Sequence, residues 1–195
     1  MHALVVLAHP RTDSFAHAVA ERACDGLRAA DHDVTLLDLY ALGFRAAMSA
    51  EEHAAYHGDA PILDPMVAEH ARLVSTTDAV VFVYPTWWSG LPAILKGWLE
   101  RVLVPGVGFR FNASGKVRPG LTNVRHLVGI STYGSPRAYV RLVNDNGRRT
   151  LARTVRLNAN TRCRTSWLGL YAIDTATAKD RAAFLDQVEQ KLRAL

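Results

Sequence analysis

The fold is decided by the stretch Ala79-Val-Val-Phe-Val-Tyr-Pro-Thr-Trp-Trp-Ser-Gly-Leu-Pro-Ala-Ile-Leu-Lys-Gly-Trp-Leu-Glu-Arg-Val-Leu-Val-Pro-Gly-Val-Gly108. Its first six residues are nearly all apolar or β-forming, which predicts a strand buried on both faces of a parallel sheet. From 91 to 103, apolar residues recur at helical spacing with Pro92 in the first turn, which predicts an amphipathic helix. The connection between them, residues 84–90, contains two tryptophans. A short loop has no structural need of two indoles, so we expect it to form the wall of a pocket for a flat ring.

Short β-rich runs alternate with longer helical patterns along the rest of the chain. Strands are predicted at 3–8, 34–39, 79–84, 126–131 and 166–173, and helices at 14–30, 64–76, 92–104, 146–158 and 178–194. This alternation is typical of a parallel sheet between two helical layers. Residues 41–63 and 105–125 show no clear element, except for a possible short helix capped by Ser49. We therefore expect an α/β three-layer sandwich with a five-stranded parallel sheet, in a single domain over residues 1–195.

Length and composition indicate a protein that folds without disulfides or metal ions. A chain of 195 residues can bury a sizeable core. Cys24 and Cys163 lie far apart and in no metal-binding spacing, so both are expected to be reduced thiols. The apolar start lacks a basic flank and is broken at Pro10, unlike a signal peptide. No run is long enough to cross a bilayer, so we expect a cytoplasmic protein without an integral membrane segment or a metal site.

Positive charge is concentrated late in the chain. The formal net charge is +5, and six arginines fall between residues 148 and 164. No nucleic-acid-binding motif accompanies them, which argues against DNA or RNA as a partner. A solvated helix face is the commoner explanation of such a cluster, and a site for an anionic cofactor or partner is the second.

Ligands of an open doubly wound sheet bind beyond the carboxyl ends of the strands, where the strand order reverses. For the expected order 2-1-3-4-5, this point lies between strands one and three. The loops that leave these strands are residues 9–14 and 84–90, two of the most unusual in the chain. The first loop ends at Ser14, where a helix begins, so hydroxyls and free backbone N–H groups there are suited to a phosphate. An ordinary helix cap without a ligand explains Ser14 alone equally well.

A third loop, residues 131–139, would lie beside the tryptophan loop. Its small, turn-forming residues let backbone N–H groups approach a planar heterocycle, and Tyr139 places a phenol nearby. Taken singly, Trp87, Trp88 and Tyr139 are explained as well by ordinary packing. Together in one crevice, they predict a flavin site.

These same residues resemble a known family, the NAD(P)H:quinone oxidoreductases among the flavodoxin-like flavoproteins. The resemblance is carried by His9-Pro10 with Ser14-Phe15, by Tyr84-Pro-x-Trp-Trp-x-Gly-Leu-Pro-Ala-Ile-Leu-Lys-Gly-Trp-Leu-Glu-Arg-Val-Leu103, and by Ser131-Thr-x-Gly134 with Tyr139. It implies a flavodoxin-like fold and a flavin cofactor, FAD or FMN. It also implies NAD(P)H as the electron donor, a small quinone-like acceptor, and a homodimer in which two subunits form each active site.

The resemblance further implies roles for single residues. The implied cofactor-binding residues are His9, Ser14, Phe15, Pro85, Thr86, Trp87, Trp88, Ser89, Ser131, Thr132, Gly134 and Tyr139. Tyr139 is also the implied catalytic residue, acting as a hydrogen-bond donor because a tyrosine usually keeps its proton until about pH 10. The implied substrate pocket consists of Trp88, Phe109, Phe111 and Tyr133, with the two phenylalanines capping the pocket of the partner subunit.

Some positions depart from the family pattern. Tyr133 stands where relatives usually have a second glycine, so we expect it to narrow or cover the substrate face. Asp145 stands where the animal enzymes have a histidine that pairs with the tyrosine, which places their proton relay in doubt for this chain.

The expected function is two-electron hydride transfer from NAD(P)H to a quinone by a ping-pong mechanism. The alternative is a non-catalytic flavoprotein that regulates a potassium-efflux system, with the basic late segment as its docking surface. A one-electron shuttle of flavodoxin type is disfavoured, because such shuttles are usually acidic and this chain has a net charge of +5. The choices between FAD and FMN, and between NADH and NADPH, stay open at this stage.

Overall fold

In the computed structural model, which describes residues 1–195, strands and helices alternate along the chain. The strands are β1 His2–Leu7, β2 Asp33–Asp38, β3 Ala79–Pro85, β4 Phe109–Phe111, β5 Val117–Pro119, β6 His126–Thr132 and β7 Arg164–Leu170. The α-helices are α1 Phe15–Arg28, α2 Ala50–Ala55, α3 Pro65–Thr76, α4 Ala93–Val102, α5 Arg137–Leu142, α6 Asn146–Arg149 and α7 Ala178–Arg193. A π-helical segment, Thr150–Val155, continues α6, and a 3₁₀ turn, Ile173–Thr175, precedes α7.

Five of the strands form one parallel sheet in the order β2-β1-β3-β6-β7, which confirms the predicted order 2-1-3-4-5. Every residue from Ala3 to Ala8 is at most 1% exposed, and β3 is buried over its whole length. These strands are continuous apolar runs because both faces of the sheet are covered. The strand order reverses between β1 and β3, so the loops that leave these two strands flank one crevice.

Two helical layers cover the sheet, as predicted. α1 and α7 pack on one face, against Val5 and Val81. α3 and α4 pack on the other face, where the rings of Phe82 and Trp98 meet edge to face with centroids 5.9 Å apart. None of the helices combines the length and the apolar character that crossing a bilayer requires.

The structure differs from the sequence prediction mainly between residues 105 and 173. The β4–β5 hairpin and α5 were not predicted, because strands of three residues and a helix of six are too short to show a periodic pattern. The helix predicted at 146–158 is α6 followed by the π-helical segment. The fifth strand predicted at 166–173 is β7, which ends earlier because Ala172 adopts a left-handed backbone conformation, with φ of 54°.

A buried ion cluster anchors α2 to α4. Arg101 is 3% exposed, and its guanidinium donates hydrogen bonds to Glu52 Oε1 at 3.0 Å and to Asp64 Oδ2 at 2.8 Å. Glu52 also completes a capping box with Ser49, as the sequence suggested. Burial opposes ionisation of Glu52, but the hydrogen bonds from Arg101 hold the pKa of its carboxyl below the usual value. The segment after β2 is therefore fixed by this charge cluster as well as by Phe44, which is buried in the core.

The variant Glu52→Gln should lower the free energy of unfolding by about 2 kcal/mol, because it leaves the buried Arg101 without its main counter-charge. Urea unfolding at pH 7 measures this loss. The neighbouring Glu51 is exposed on the same helix, so Glu51→Gln is the matched control and should change stability by less than about 0.5 kcal/mol.

The difference between wild type and Glu52→Gln should also depend on pH. Because the pKa of Glu52 is lower in the folded state, its stabilising contribution is present above the unfolded pKa, near 4.3, and is lost as the pH falls through the folded value. Equal losses for the two variants at pH 7, or a difference that grows in acid, would contradict the ion cluster.

Candidate active site

The loop after β3 is a tight turn with an exposed tryptophan at its tip. The backbones of Trp87 and Gly90 exchange two hydrogen bonds, of 3.3 and 2.9 Å. The two central residues, Trp88 and Ser89, both have positive φ, of 48° and 57°. Turns of this kind usually contain Gly, Asn or Asp at these positions. Trp88 is fully exposed, so no packing within the chain compensates for its strained backbone.

Neighbouring segments hold this turn in place. The backbone N–H of Thr86 donates to the carbonyl of Thr132 at 2.8 Å, and the hydroxyls of Thr86 and Ser131 lie 2.8 Å apart. The backbone N–H of Asn146 donates to the carbonyl of Ser89 at 3.0 Å. The turn is thus tied to β6 on one side and to α6 on the other. Strain that is fixed by its surroundings in this way is typical of ligand-binding sites.

A cleft of about 260 Å³ lies between this turn and the loop after β6. Trp88 and Ser89 contribute from one side, and Gly134 and Ser135 from the other. Tyr139, on α5, also lines the cleft and is 52% exposed. Of the predicted cofactor-binding residues, the cleft brings together Thr86, Trp88, Ser89, Gly134 and Tyr139.

Several backbone N–H groups around the crevice have no hydrogen-bond partner within the chain. They belong to Trp88 and Ser89, to Gly134 and Ser135, and to Thr12 in the loop after β1. Such amides are the donors that a heterocycle rich in nitrogen and oxygen, or a phosphate, needs from a binding site. The donors and the exposed aromatic rings together fit the flavin that the sequence predicts.

The loop after β1 lies on the other side of the tryptophan turn. The backbone N–H of Arg11 donates to His9 Nδ1 at 3.1 Å, and the His9 ring lies 6.1 Å from that of Trp87. Burial lowers the pKa of His9, which favours its neutral form. Arg11 forms an exposed ion pair with Asp13. The loop therefore offers dipoles more than free positive charge.

Ser14 begins α1 and uses its hydroxyl within the protein. The Ser14 hydroxyl lies 3.0 Å from Nδ1 of His17, and Nε2 of His17 donates to the Asp38 carboxylate at 3.0 Å. This chain of contacts was not predicted, because it joins the start of α1 to the end of β2, two segments that are distant in the sequence. Phe15 points away from the crevice and packs near Phe184, with ring centroids 6.2 Å apart.

Tyr133, predicted to narrow or cover the substrate face, lines the cleft from beneath and does not cover it. Its side chain is 1% exposed, and its hydroxyl donates to Asp145 Oδ2 at 3.2 Å and accepts from Trp167 Nε1 at 3.2 Å. Its ring stacks on Tyr171 with centroids 4.6 Å apart. The ring and hydroxyl contact all these residues beneath the loop, so the side chain lies inside the protein. The sequence could not predict this orientation, because the residues that contact Tyr133 are distant from it along the chain.

Asp145 links the buried tyrosine to the cleft. It lines the cleft, and its own backbone is left-handed, with φ of 41°. Burial raises the pKa of Asp145 above the usual value of an aspartate. No hydrogen bond joins Asp145 to Tyr139, so the tyrosine–histidine pair considered in the sequence analysis has no counterpart here. The partner of Asp145 is Tyr133.

Two groups of predicted residues lie outside the cleft. Pro85 and Ser131 are buried in β3 and β6, where Pro85 is paired in register with Thr132, so they support the loops from behind. Phe109 and Phe111 lie on the β4–β5 hairpin with ring centroids 5.6 Å apart. Neither phenylalanine reaches the cleft of its own chain, and Phe111 is 50% exposed.

Comparison with known proteins gives consistent matches. A family model described as the flavodoxin-like fold matches residues 1–195. The NAD(P)H dehydrogenase (quinone) 1 of Rattus norvegicus is 33% identical over 152 residues, which cover 70% of this chain and 55% of the rat protein. The chain thus spans little more than half the length of that relative.

Solved structures of similar fold also match this chain. The NAD(P)H:quinone oxidoreductase from Methanothermobacter marburgensis matches with a TM-score of 0.82 and 25% identity, over 99% of this chain and 96% of that one. An FMN-dependent NADH-azoreductase from Bacillus anthracis, solved in complex with FMN, matches with a TM-score of 0.74 over 99% and 98% of the two chains. At 14% identity, this second likeness is one of fold alone.

The backbone strain at Trp88 can be separated from the loss of its ring by two substitutions. Trp88→Gly and Trp88→Ala both remove the exposed indole, but only glycine adopts a positive φ without steric cost. In flavin-free protein, Trp88→Gly should be more stable than Trp88→Ala by about 1 kcal/mol, as measured by urea unfolding. Equal stability would show that the turn relaxes and stores no strain.

Proposed function

Because the chain belongs to the flavodoxin-like NAD(P)H:quinone oxidoreductase family, we propose that it is a flavin-dependent enzyme that transfers electrons from NAD(P)H to a quinone-like acceptor. The observation that carries this proposal is the exposed Trp88 on a strained, pinned turn beside a cleft with unpaired amide donors. Nothing within the chain offsets the cost of the strained backbone and the exposed indole, whereas a planar ligand that packs on the indole would offset it.

In this proposal, different loops would bind different parts of the cofactor. A bound flavin would supply the redox chemistry, accepting a hydride from NAD(P)H and passing it to the acceptor in a ping-pong sequence. Trp87, Trp88 and Tyr139 would pack on the ring, and the free amides of Ser89 and Gly134 would donate to its polar edge. His9, Ser14 and Phe15 would belong to the phosphate region, where α1 begins, with Phe15 contributing its backbone N–H rather than its ring.

Tyr139 is proposed as the residue that supports negative charge on the reduced ring. Its half-exposed phenol lines the cleft and makes no hydrogen bond within the chain, so its O–H is free to donate to a ligand. Tyr133 and Asp145 would act behind it, as a buried pair that fixes the loop after β6 and one wall of the cleft.

We also propose a homodimer. Phe111 and Trp88 are exposed aromatic residues, and Phe111 sits on a hairpin that does not reach the cleft of its own chain. A second subunit would place this hairpin over the partner's cleft and bury both rings. Sedimentation should give the mass of a dimer for the wild type and a shift toward monomer for Phe111→Glu; a wild type that sediments as a monomer would refute the dimer.

The test of the proposed function begins with purification of the protein and release of its chromophore. Mass spectrometry of the released compound identifies FMN or FAD, and the absorbance of NADH and NADPH is then followed with menadione as the acceptor. A flavin together with rapid oxidation supports the proposal. If the flavin-loaded protein reduces none of the quinones tried, the result would favour the regulatory subunit instead. A colourless protein that takes up neither FMN nor FAD would refute both the enzyme and the regulatory flavoprotein.

The variant Tyr139→Phe should slow reduction of the bound flavin by about tenfold and leave the flavin content unchanged, because it removes one donor to the developing charge but keeps the ring. Stopped-flow absorbance measures the rate, and the ratio of flavin to protein absorbance measures the content. A parallel loss of rate and flavin would assign Tyr139 to binding rather than to catalysis.

A further inference from the structure

A second pocket adjoins the cleft, and arginines surround it. Its volume is about 440 Å³. Its lining includes Arg137, Arg141, Arg148, Arg149 and Arg153. We call this the arginine pocket. The arginines that cluster in the sequence are thus in two places in the structure. Arg148, Arg149 and Arg153 line this pocket, whereas Arg162 and Arg164 lie at the amino ends of the strands, at the far rim of the sheet.

The arginines of this pocket have no carboxylate partners. None of the five forms an ion pair, and the same is true of Arg162 and Arg164 at the far rim, so the five are distinguished by their position beside the cleft. Asp145 is the one acidic residue between positions 137 and 153, and its carboxylate is already bonded to Tyr133. Like charges grouped in a concave surface raise the local positive potential and favour an anion.

All five arginines are exposed, and aromatic rings hold two of them in place. The guanidinium of Arg148 lies over the ring of Trp167, 5.6 Å from its centroid, and that of Arg137 lies 5.9 Å from the centroid of Tyr171. Both rings belong to the buried tyrosine network beneath the cleft. Part of the wall is the π-helical segment that carries Arg153, a rare conformation that often marks functional sites.

The arginine pocket and the cleft adjoin each other, because Val140 and Asp145 line both. A ligand whose planar ring packs against Trp88 would pass Asp145 to place a charged tail in the pocket. The flavin does not need this pocket, because its own phosphate region would lie beyond Trp87, at the start of α1.

We propose that the arginine pocket binds the phosphate groups of the nicotinamide donor and makes NADPH the preferred reductant over NADH. This inference rests on the proposed function and names its electron donor. NADPH has a 2′-phosphate that NADH lacks, which adds about two negative charges near pH 7. Guanidinium groups bind phosphates through paired, charge-assisted hydrogen bonds, so five unpaired arginines suit a ligand with three phosphates better than one with two.

The first test is equilibrium binding to the flavin-loaded protein. Adenosine 2′,5′-bisphosphate, measured by isothermal titration calorimetry, should bind more tightly than adenosine 5′-monophosphate, and more weakly as salt rises. The double variant Arg141→Gln/Arg153→Gln, which keeps the two stacked arginines, should weaken binding of the bisphosphate by about tenfold. The matched control, Arg162→Gln/Arg164→Gln, removes equal charge at the far rim and should leave binding within about twofold.

The second test is kinetic and uses donors with and without phosphates. The double variant should raise the KM for NADPH about tenfold, with little change in kcat, and leave the KM for N-ribosyl dihydronicotinamide unchanged, because that donor carries no phosphate. Unchanged kinetics with the riboside also show that the variant is folded and retains its flavin.

Three results would overturn the proposal. Equal effects of the two double variants would show a general field of charge rather than a site. An effect on the KM of a sulfonated naphthoquinone, with NADPH unaffected, would assign the pocket to an anionic acceptor. An adenosine bisphosphate that binds no better than the monophosphate would exclude a site for the 2′-phosphate. Binding of the bisphosphate by a protein that oxidises no NAD(P)H would refute the proposed reaction alone and leave the pocket's preference standing.

Discussion

The crevice depends on one backbone constraint, the pair of left-handed residues at the tip of the loop after β3. Trp88 and Ser89 hold positive φ angles that cost free energy for any residue with a Cβ atom. The conformation persists because hydrogen bonds to Thr132 and from Asn146 fix both ends of the loop. The result is an indole that the chain keeps outside its own core, at the point where the strand order reverses.

Around this turn, the chain separates two kinds of polar group. On the β1 side, His9 is shifted toward its neutral form and Arg11 is paired with Asp13, so the start of α1 offers mainly backbone dipoles. On the α5 and α6 side, five arginines stand without partners around a pocket. This asymmetry gives the crevice two ends of different electrostatic character, which would let it distinguish the phosphates of the proposed flavin from those of the proposed nicotinamide donor.

The sequence predicted the parallel sheet, its strand order and the helical layers, because β1 and β3 are continuous apolar runs and the long helices carry clear caps and apolar faces. It also placed Trp88, Gly134 and Tyr139 at one crevice, since the segments that carry them follow the carboxyl ends of two neighbouring strands. The sequence did not predict the side-chain contacts between residues that are distant along the chain. Nothing local shows that Tyr133 turns inward to meet Asp145 and Trp167, or that His17 bridges Ser14 and Asp38. The grouping of Arg137 with Arg153 likewise depends on a short helix and a π-helical segment that leave no periodic signal.

The crevice is proposed to bind a flavin through its exposed rings and free amides. A titration of FMN into ¹⁵N-labelled, flavin-free protein, followed by amide NMR, is the decisive experiment. The largest shifts are expected at the amides of Thr12, Trp88, Ser89, Gly134 and Ser135, which have no partners within the chain. Shifts confined to other parts of the surface, or no shifts at saturating FMN, would contradict the proposed binding.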